Sequence, residues 1–164
     1  MQDLDAIYRE HADTVYRFLL AKTGSAQLSE ELTQETFFQA VGSIGRYDGS
    51  CRVSTWLCAI AKNVLYTYYK KRKQEASLEE IEEPQVPSAE ETALSSLSQQ
   101  DILKRIHALP DPGREILHLR LLGGLSFRQI GEIMNQTETW ARVNFYRAKQ
   151  ALVKELKEHD GIEE

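Results

Sequence analysis

Between residues 54 and 73 (STWLCAIAKNVLYTYYKKRK) apolar side chains recur at Leu57, Ile60, Ala61, Val64, Leu65 and Tyr68. Spacings of three and four predict a helix with one buried face. The same period predicts a helix over residues 4–20, with Ile7, Val15, Phe18 and Leu19 inward. It predicts another over residues 29–43, with Leu32, Phe37, Ala40 and Val41 inward, Ser29 as its cap and Glu30 and Glu31 in its first turn. Residues 45–53 (GRYDGSCRV) read as a loop, after which Ser54 caps the long helix. Further on, residues 89–109 read as a helix stopped by Pro110-Asp111-Pro112-Gly113, and residues 114–122 as another ended by Gly123-Gly124. Alternating strand patterns are essentially missing, so the expected class is all-α, with two small helical domains.

The face of the 54–73 helix opposite its apolar stripe carries Lys62, Asn63, Tyr66, Lys70 and Lys73. Cations attract phosphate, an aromatic plane stacks a base and an amide reads a base edge, which is what single-stranded or melting nucleic acid requires. Stacking is worth about 1–3 kcal/mol per base, so one well-placed tyrosine matters as much as several screened charges. An amphipathic helix with a solvated lysine end fits the same stretch, and the stretch alone does not choose.

Residues 125–150 (LSFRQIGEIMNQTETWARVNFYRAKQ) have the layout of a helix-turn-helix. Ser126 and Gln129 form a capping box, and Phe127, Ile130, Ile133 and Met134 supply a buried side. Gly131, costing about 1 kcal/mol against alanine inside a helix, is expected where another helix crosses closely. Asn135 turns the chain and Thr137 caps the second helix. That helix turns Ala141, Phe145, Ala148, Leu152 and Leu156 inward. Thr139, Arg142, Val143, Tyr146 and Arg147 face outward near the end that enters a major groove. Two packed bundle helices with a polar rim are the alternative.

Charge sharpens this picture. The 164-residue chain is 41% hydrophobic, 27% charged and carries a net charge of −5, which argues against nucleic-acid binding until it is divided along the chain. Residues 1–50 carry −4, residues 51–75 carry +5, residues 76–101 carry −7 and residues 102–164 carry +1. Positive charge is thus concentrated in the long helix, and an acidic, proline-containing tract from residue 74 to about 87 reads as a linker. No apolar run approaches the roughly 20 residues of a membrane span, and the first residues are acidic and polar, so a cytoplasmic location is expected. Cys51 and Cys58, with four scattered histidines, indicate neither a disulfide framework nor a zinc site. No nucleophile with its base, phosphate-cradling glycine loop or metal spacing is present, so no enzyme, cofactor or small-molecule substrate is expected.

A strand-capturing helix and a duplex-reading helix-turn-helix joined by an acidic linker resemble the bacterial sigma factors, specifically the small extracytoplasmic-function group of the sigma-70 family. SEELTQETFFQA at 29–40, STWLCAIAKN at 54–63 and LPDPGREILHLRLLGGLSFRQIGEIM at 109–134 follow that family's pattern in order. The resemblance implies region 2 over 1–75, a flexible linker over 76–92 and a four-helix region 4 over 93–164. It implies that Leu32, Gln34, Glu35 and Phe38 dock on the clamp helices of RNA polymerase core, with the polymerase flap as a further contact. Arg46, Tyr47, Lys62, Asn63, Tyr66 and Lys70 then serve the promoter's minus ten element, Tyr47 and Asn63 at a flipped-out base. Thr139, Arg142, Val143, Tyr146 and Arg147 serve the minus thirty-five element. An anti-sigma factor is the further partner implied. The chain departs from the family at Thr67, where aspartate is usual, at Val53, where an aromatic is common, and at Thr139-Trp140-Ala141, which replaces Gly-Thr-Val. A stand-alone helix-turn-helix regulator and a protein-binding adaptor are the rival readings.

Overall fold

The computed structural model describes residues 3–76 and 96–159, and among them every regular element is helical. The first half holds α1 (Leu4–Thr23), α2 (Ala26–Ser43), a 3-10 turn (Ile44–Arg46) and α3 (Val53–Ala76). The second holds α4 (Ser96–Ala108), α5 (Gly113–Leu117) continued by a wider π turn (His118–Leu122), α6 (Phe127–Ile133) and α7 (Glu138–His159). The acidic linker and the expected helix start near residue 89 fall outside the described residues.

Helix boundaries follow cap chemistry. Asp3 accepts from the Asp5 amide to start α1, and Gly24 at φ 68° ends it in the left-handed conformation open to glycine. Ser25, not Ser29, caps α2 by accepting from the Leu28 amide. Ser29 lies buried one turn inside, its hydroxyl returned to the Ser25 carbonyl at 2.6 Å and paired with Thr23 at 2.9 Å. Likewise α3 begins at Val53, so Ser54 is an internal, buried residue that meets His11 Nδ1 at 3.1 Å instead of a cap. The Ser126–Gln129 capping box is complete, and Asn135 turns the chain at φ 57°. A Cβ on Gly131 would meet the Thr137 carbonyl oxygen at 2.7 Å. The close approach there comes from the chain entering α7, not from a crossing helix.

Val15, Phe18 and Leu19 of α1 and Leu57 and Ala61 of α3 are fully buried, as are Ile116, Leu117, Leu119, Leu125 and Ile130 in the second half. Val41 does not join them: it is 56% exposed, because its position on α2 has rotated past the packed stripe. The halves pack on each other, α1 against the π turn and α3 against α6. Lys22 Nζ meets both Glu115 oxygens at 2.6 and 2.5 Å, with each side chain 21% exposed. No helix among the described residues is long and apolar enough to cross a membrane.

Candidate nucleic-acid interface

The buried stripe of α3 fixes which way its other face points. With Leu57, Ala61 and Val64 in the core, Lys62, Asn63, Tyr66 and Lys70 are all exposed, Tyr66 at 68%. Tyr69 lies beside them, 44% exposed and edge-on to Tyr68 at 5.6 Å. Its plane adds to the aromatic end of this face, a contribution that the helical wheel over 54–73 had not singled out. Thr67 is exposed next to Tyr66, whereas Val53 is partly buried against the core.

Upstream of α3 the loop is ordered by its own polar groups. The Ser50 amide donates to Asp48 at 2.9 Å, and hydrogen bonding from Ser50 holds the Asp48 carboxyl below its usual range. Tyr47 is half-buried, its ring 5.0 Å from that of Trp56 and its hydroxyl donating to the Cys51 carbonyl. Burial, then the neighbouring Cys51 and Asp48, raises the Tyr47 phenol, so it stays a protonated donor at neutral pH. Arg46 is exposed at the end of the 3-10 turn. Burial pushes the Cys58 thiol up to about 12, which leaves it an unreactive packing group.

In the second half Thr137 accepts from the Trp140 amide at 3.0 Å and so starts α7. Trp140 packs partly buried against the core, and its carbonyl accepts from the Asn144 amide group at 2.8 Å. Thr139, Arg142, Val143, Tyr146 and Arg147 are exposed along the outer face. Arg142 is held in place: its guanidinium donates to Glu138 at 2.9 Å and lies 5.6 Å from the Phe127 ring centre. Phe127 is also contacted by the Phe145 ring at 5.2 Å and by the Arg120 guanidinium at 4.4 Å. This aromatic centre sets the direction in which α7 presents its arginine.

The third group of expected residues lies on α2. Gln34 and Glu35 are exposed and Phe38 is 74% exposed, while Val41 extends the apolar surface by one more turn. Leu32 does not belong to that surface. It is 6% exposed within the core, so it supports the patch from beneath and offers a partner almost nothing to touch.

Family models match both halves: Sigma-70 region 2 over residues 7–75 and Sigma-70, region 4 over residues 99–152. The chain is 35% identical to the ECF RNA polymerase sigma factor SigM of Bacillus subtilis, across 91% of this chain and 92% of that one. It is 29% identical to SigW of the same organism, across 95% and 88%. Among solved structures, its fold is similar to that of the sigma factor RpoE in complex with the anti-sigma factor NepR from Bartonella quintana. There the TM-score is 0.53, the identity 20% and the coverage 96% of this chain and 98% of that one.

Proposed function

Because the chain belongs to the extracytoplasmic-function group of the sigma-70 family and is an RNA polymerase sigma factor, we propose that its two halves divide promoter recognition between strand capture and duplex reading. In this reading the first half, residues 1–75, captures unstacked non-template bases of the minus ten element. Tyr66 and Tyr47 offer ring faces, Asn63 a base-edge amide, and Arg46, Lys62 and Lys70 phosphate contacts. The second half, residues 93–164, reads the minus thirty-five duplex through Thr139, Arg142, Val143, Tyr146 and Arg147 of α7. Gln34, Glu35 and Phe38 dock on polymerase core, with Leu32 behind them. The linker of residues 76–92, acidic in sequence, lies against cationic polymerase surface. An anti-sigma factor restrains the protein in the cytoplasm.

What supports this reading best is the two-sidedness of α3: a fully buried stripe at Leu57 and Ala61, and opposite it a face on which Tyr66 is 68% exposed beside Lys62, Asn63 and Lys70. Extruding a base costs a few kcal/mol, about what one stacking contact and a pocket return, so melting proceeds by binding alone. A stand-alone regulator has no use for such a face, nor for a first half that matches region 2. The test is run-off transcription with purified core polymerase on a genomic fragment library. A promoter-dependent transcript that requires this protein is expected. Tight binding of the isolated protein to duplex DNA with no transcript would overturn the reading.

A further inference from the structure

The residues of α7 proposed to read the duplex form the first turns of a longer row. Thr139, Arg142, Val143 and Tyr146 recur at spacings of three and four, and the same spacing runs on through Lys149, Gln150, Val153 and Lys154, all of them exposed. The other side of the helix is taken up inside the protein. Ala148 and Leu152 are buried, Leu156 packs against the core, and Arg105 of α4 donates to the Glu155 carbonyl at 3.2 Å. Residues 139–154 hold four cations, Arg142, Arg147, Lys149 and Lys154, and no carboxylate, in a chain whose net charge is −5. The next carboxylate, Glu155, stands nine residues past Tyr146, about two and a half turns, which puts it on the far side of the helix. The row is thus a strip of positive potential. Unlike Arg142, neither Lys149 nor Lys154 is held by an ion pair or hydrogen bond among the described residues.

The length of the row bears on how α7 meets a duplex. Tyr146 lies nine residues past the cap residue Thr137, roughly 14 Å along the axis at about 1.5 Å per residue. The major groove is about 8.5 Å deep, so a helix entering tip first leaves Tyr146 clear of the base edges. A helix lying with its side in the groove brings Thr139, Arg142, Val143 and Tyr146 to the bases together. In that pose the following turns stay against the DNA. A straight helix rises from the floor of a groove that winds round the duplex, and what it meets on rising is the sugar-phosphate wall. Flexible ammonium groups suit that wall, because they neutralise phosphate as point charges and read no base.

We propose that the DNA contact of α7 extends past its reading residues, and that Lys149 and Lys154 bind the phosphate strand flanking the minus thirty-five element, with the Gln150 amide beside them. The first turns of the helix then choose the sequence, and the next turns add affinity that does not depend on it. This inference rests on the assignment of duplex reading to α7.

The test uses holoenzyme and fluorescence anisotropy with two duplexes: one carrying the minus thirty-five region of a promoter recovered by run-off transcription, the other with that element scrambled. Lys149→Ala/Lys154→Ala is expected to weaken binding of both duplexes by the same factor, leaving their ratio at the wild-type value. It should also flatten the salt dependence. Each lost phosphate contact removes about 0.9 from the slope of log affinity against log salt, so between about 50 and 200 mM salt wild type should lose roughly tenfold more affinity than the double variant. Lys149→Arg/Lys154→Arg should keep the wild-type slope, and circular dichroism should show equal helix content in all three proteins. An unchanged slope in the alanine variant overturns the phosphate contact; if transcription falls while the slope holds, the row faces a protein partner instead. A wild type that binds the two duplexes equally overturns the assignment of duplex reading to α7, a separate failure.

Discussion

Helices α3 and α7 both turn a polar face to solvent, but the side chains proposed to meet nucleic acid are held in opposite ways. On α7 the proposed reader Arg142 is fixed beforehand: Thr137 caps the helix, Glu138 ties Arg142 at 2.9 Å, and Phe127 underlies the guanidinium at 5.6 Å. On α3 no hydrogen bond or ion pair among the described residues restrains the side chains of Lys62, Asn63, Tyr66 or Lys70. The difference matches what each would meet. Base edges in a duplex occupy fixed positions, so a pre-ordered reader avoids the roughly 0.5–1.5 kcal/mol that immobilising each long side chain costs on binding. An unstacked strand is itself mobile, and an open aromatic and cationic face can meet it in several conformations.

The largest effect expected from perturbing this comparison is on stability. Leu57→Ala removes a side chain with no exposed surface from the inner side of α3 and should cost about 2–5 kcal/mol, read by urea unfolding. Asn63→Ala, six residues along the same helix but on its exposed face, should stay within about 0.5 kcal/mol of wild type. Equal losses from the two would mean that α3 is not two-sided.

Next comes Tyr66→Ala, which should cost about 1–3 kcal/mol of affinity of the holoenzyme for a single-stranded minus ten oligonucleotide, measured by fluorescence anisotropy. Binding to the upstream duplex should be unaffected. Arg142→Ala works the other way. It should cost about 1–3 kcal/mol of discrimination at one base pair, toward the low end because the Glu138 pair is partly surrendered on binding. Competition with base-substituted duplexes reads that effect, and single-strand capture should be unchanged.

The smallest effect is on pH dependence. Burial, and then the nearby Lys22, lower the pKa of His118, with Glu115 opposing and His107 and Arg114 adding to the shift. The folded form therefore binds this proton less readily than the unfolded chain. Its contribution to stability is complete above the ordinary histidine value near 6.5 and is lost as the pH falls from there through the lowered folded value. Melting temperature should accordingly drop as the pH is lowered from about 7 through the ordinary histidine value, and His118→Gln should remove that component.

Much of this was legible in the sequence, and for a physical reason. The 3.6-residue period placed the buried stripe of α3, and the Ser126–Gln129 box, Asn135 and Thr137 gave the helix-turn-helix its boundaries, because each of these signals lies within four residues of its partner. Local competition between similar signals produced the misplacements. Ser25 and Ser29 stand one turn apart and both can cap, so only the packing of Ser29 against Thr23 decides for Ser25. Leu32 lies on the same helix as the exposed Phe38, and family pattern alone did not separate support from surface. The contact between the halves was not legible at all. Its bonds join residues 77 to 115 positions apart, and several end on backbone carbonyls, which leave no mark in the side-chain sequence.

The most direct test of the division between capture and reading is permanganate reactivity of promoter thymines in holoenzyme complexes. With wild type, thymines of the minus ten element should become reactive. With Tyr66→Ala the upstream duplex should still be protected while those thymines stay unreactive. With Arg142→Ala recruitment should weaken, yet a promoter premelted at the minus ten element should still be held. Undiminished thymine reactivity with Tyr66→Ala would contradict the assignment of strand capture to α3.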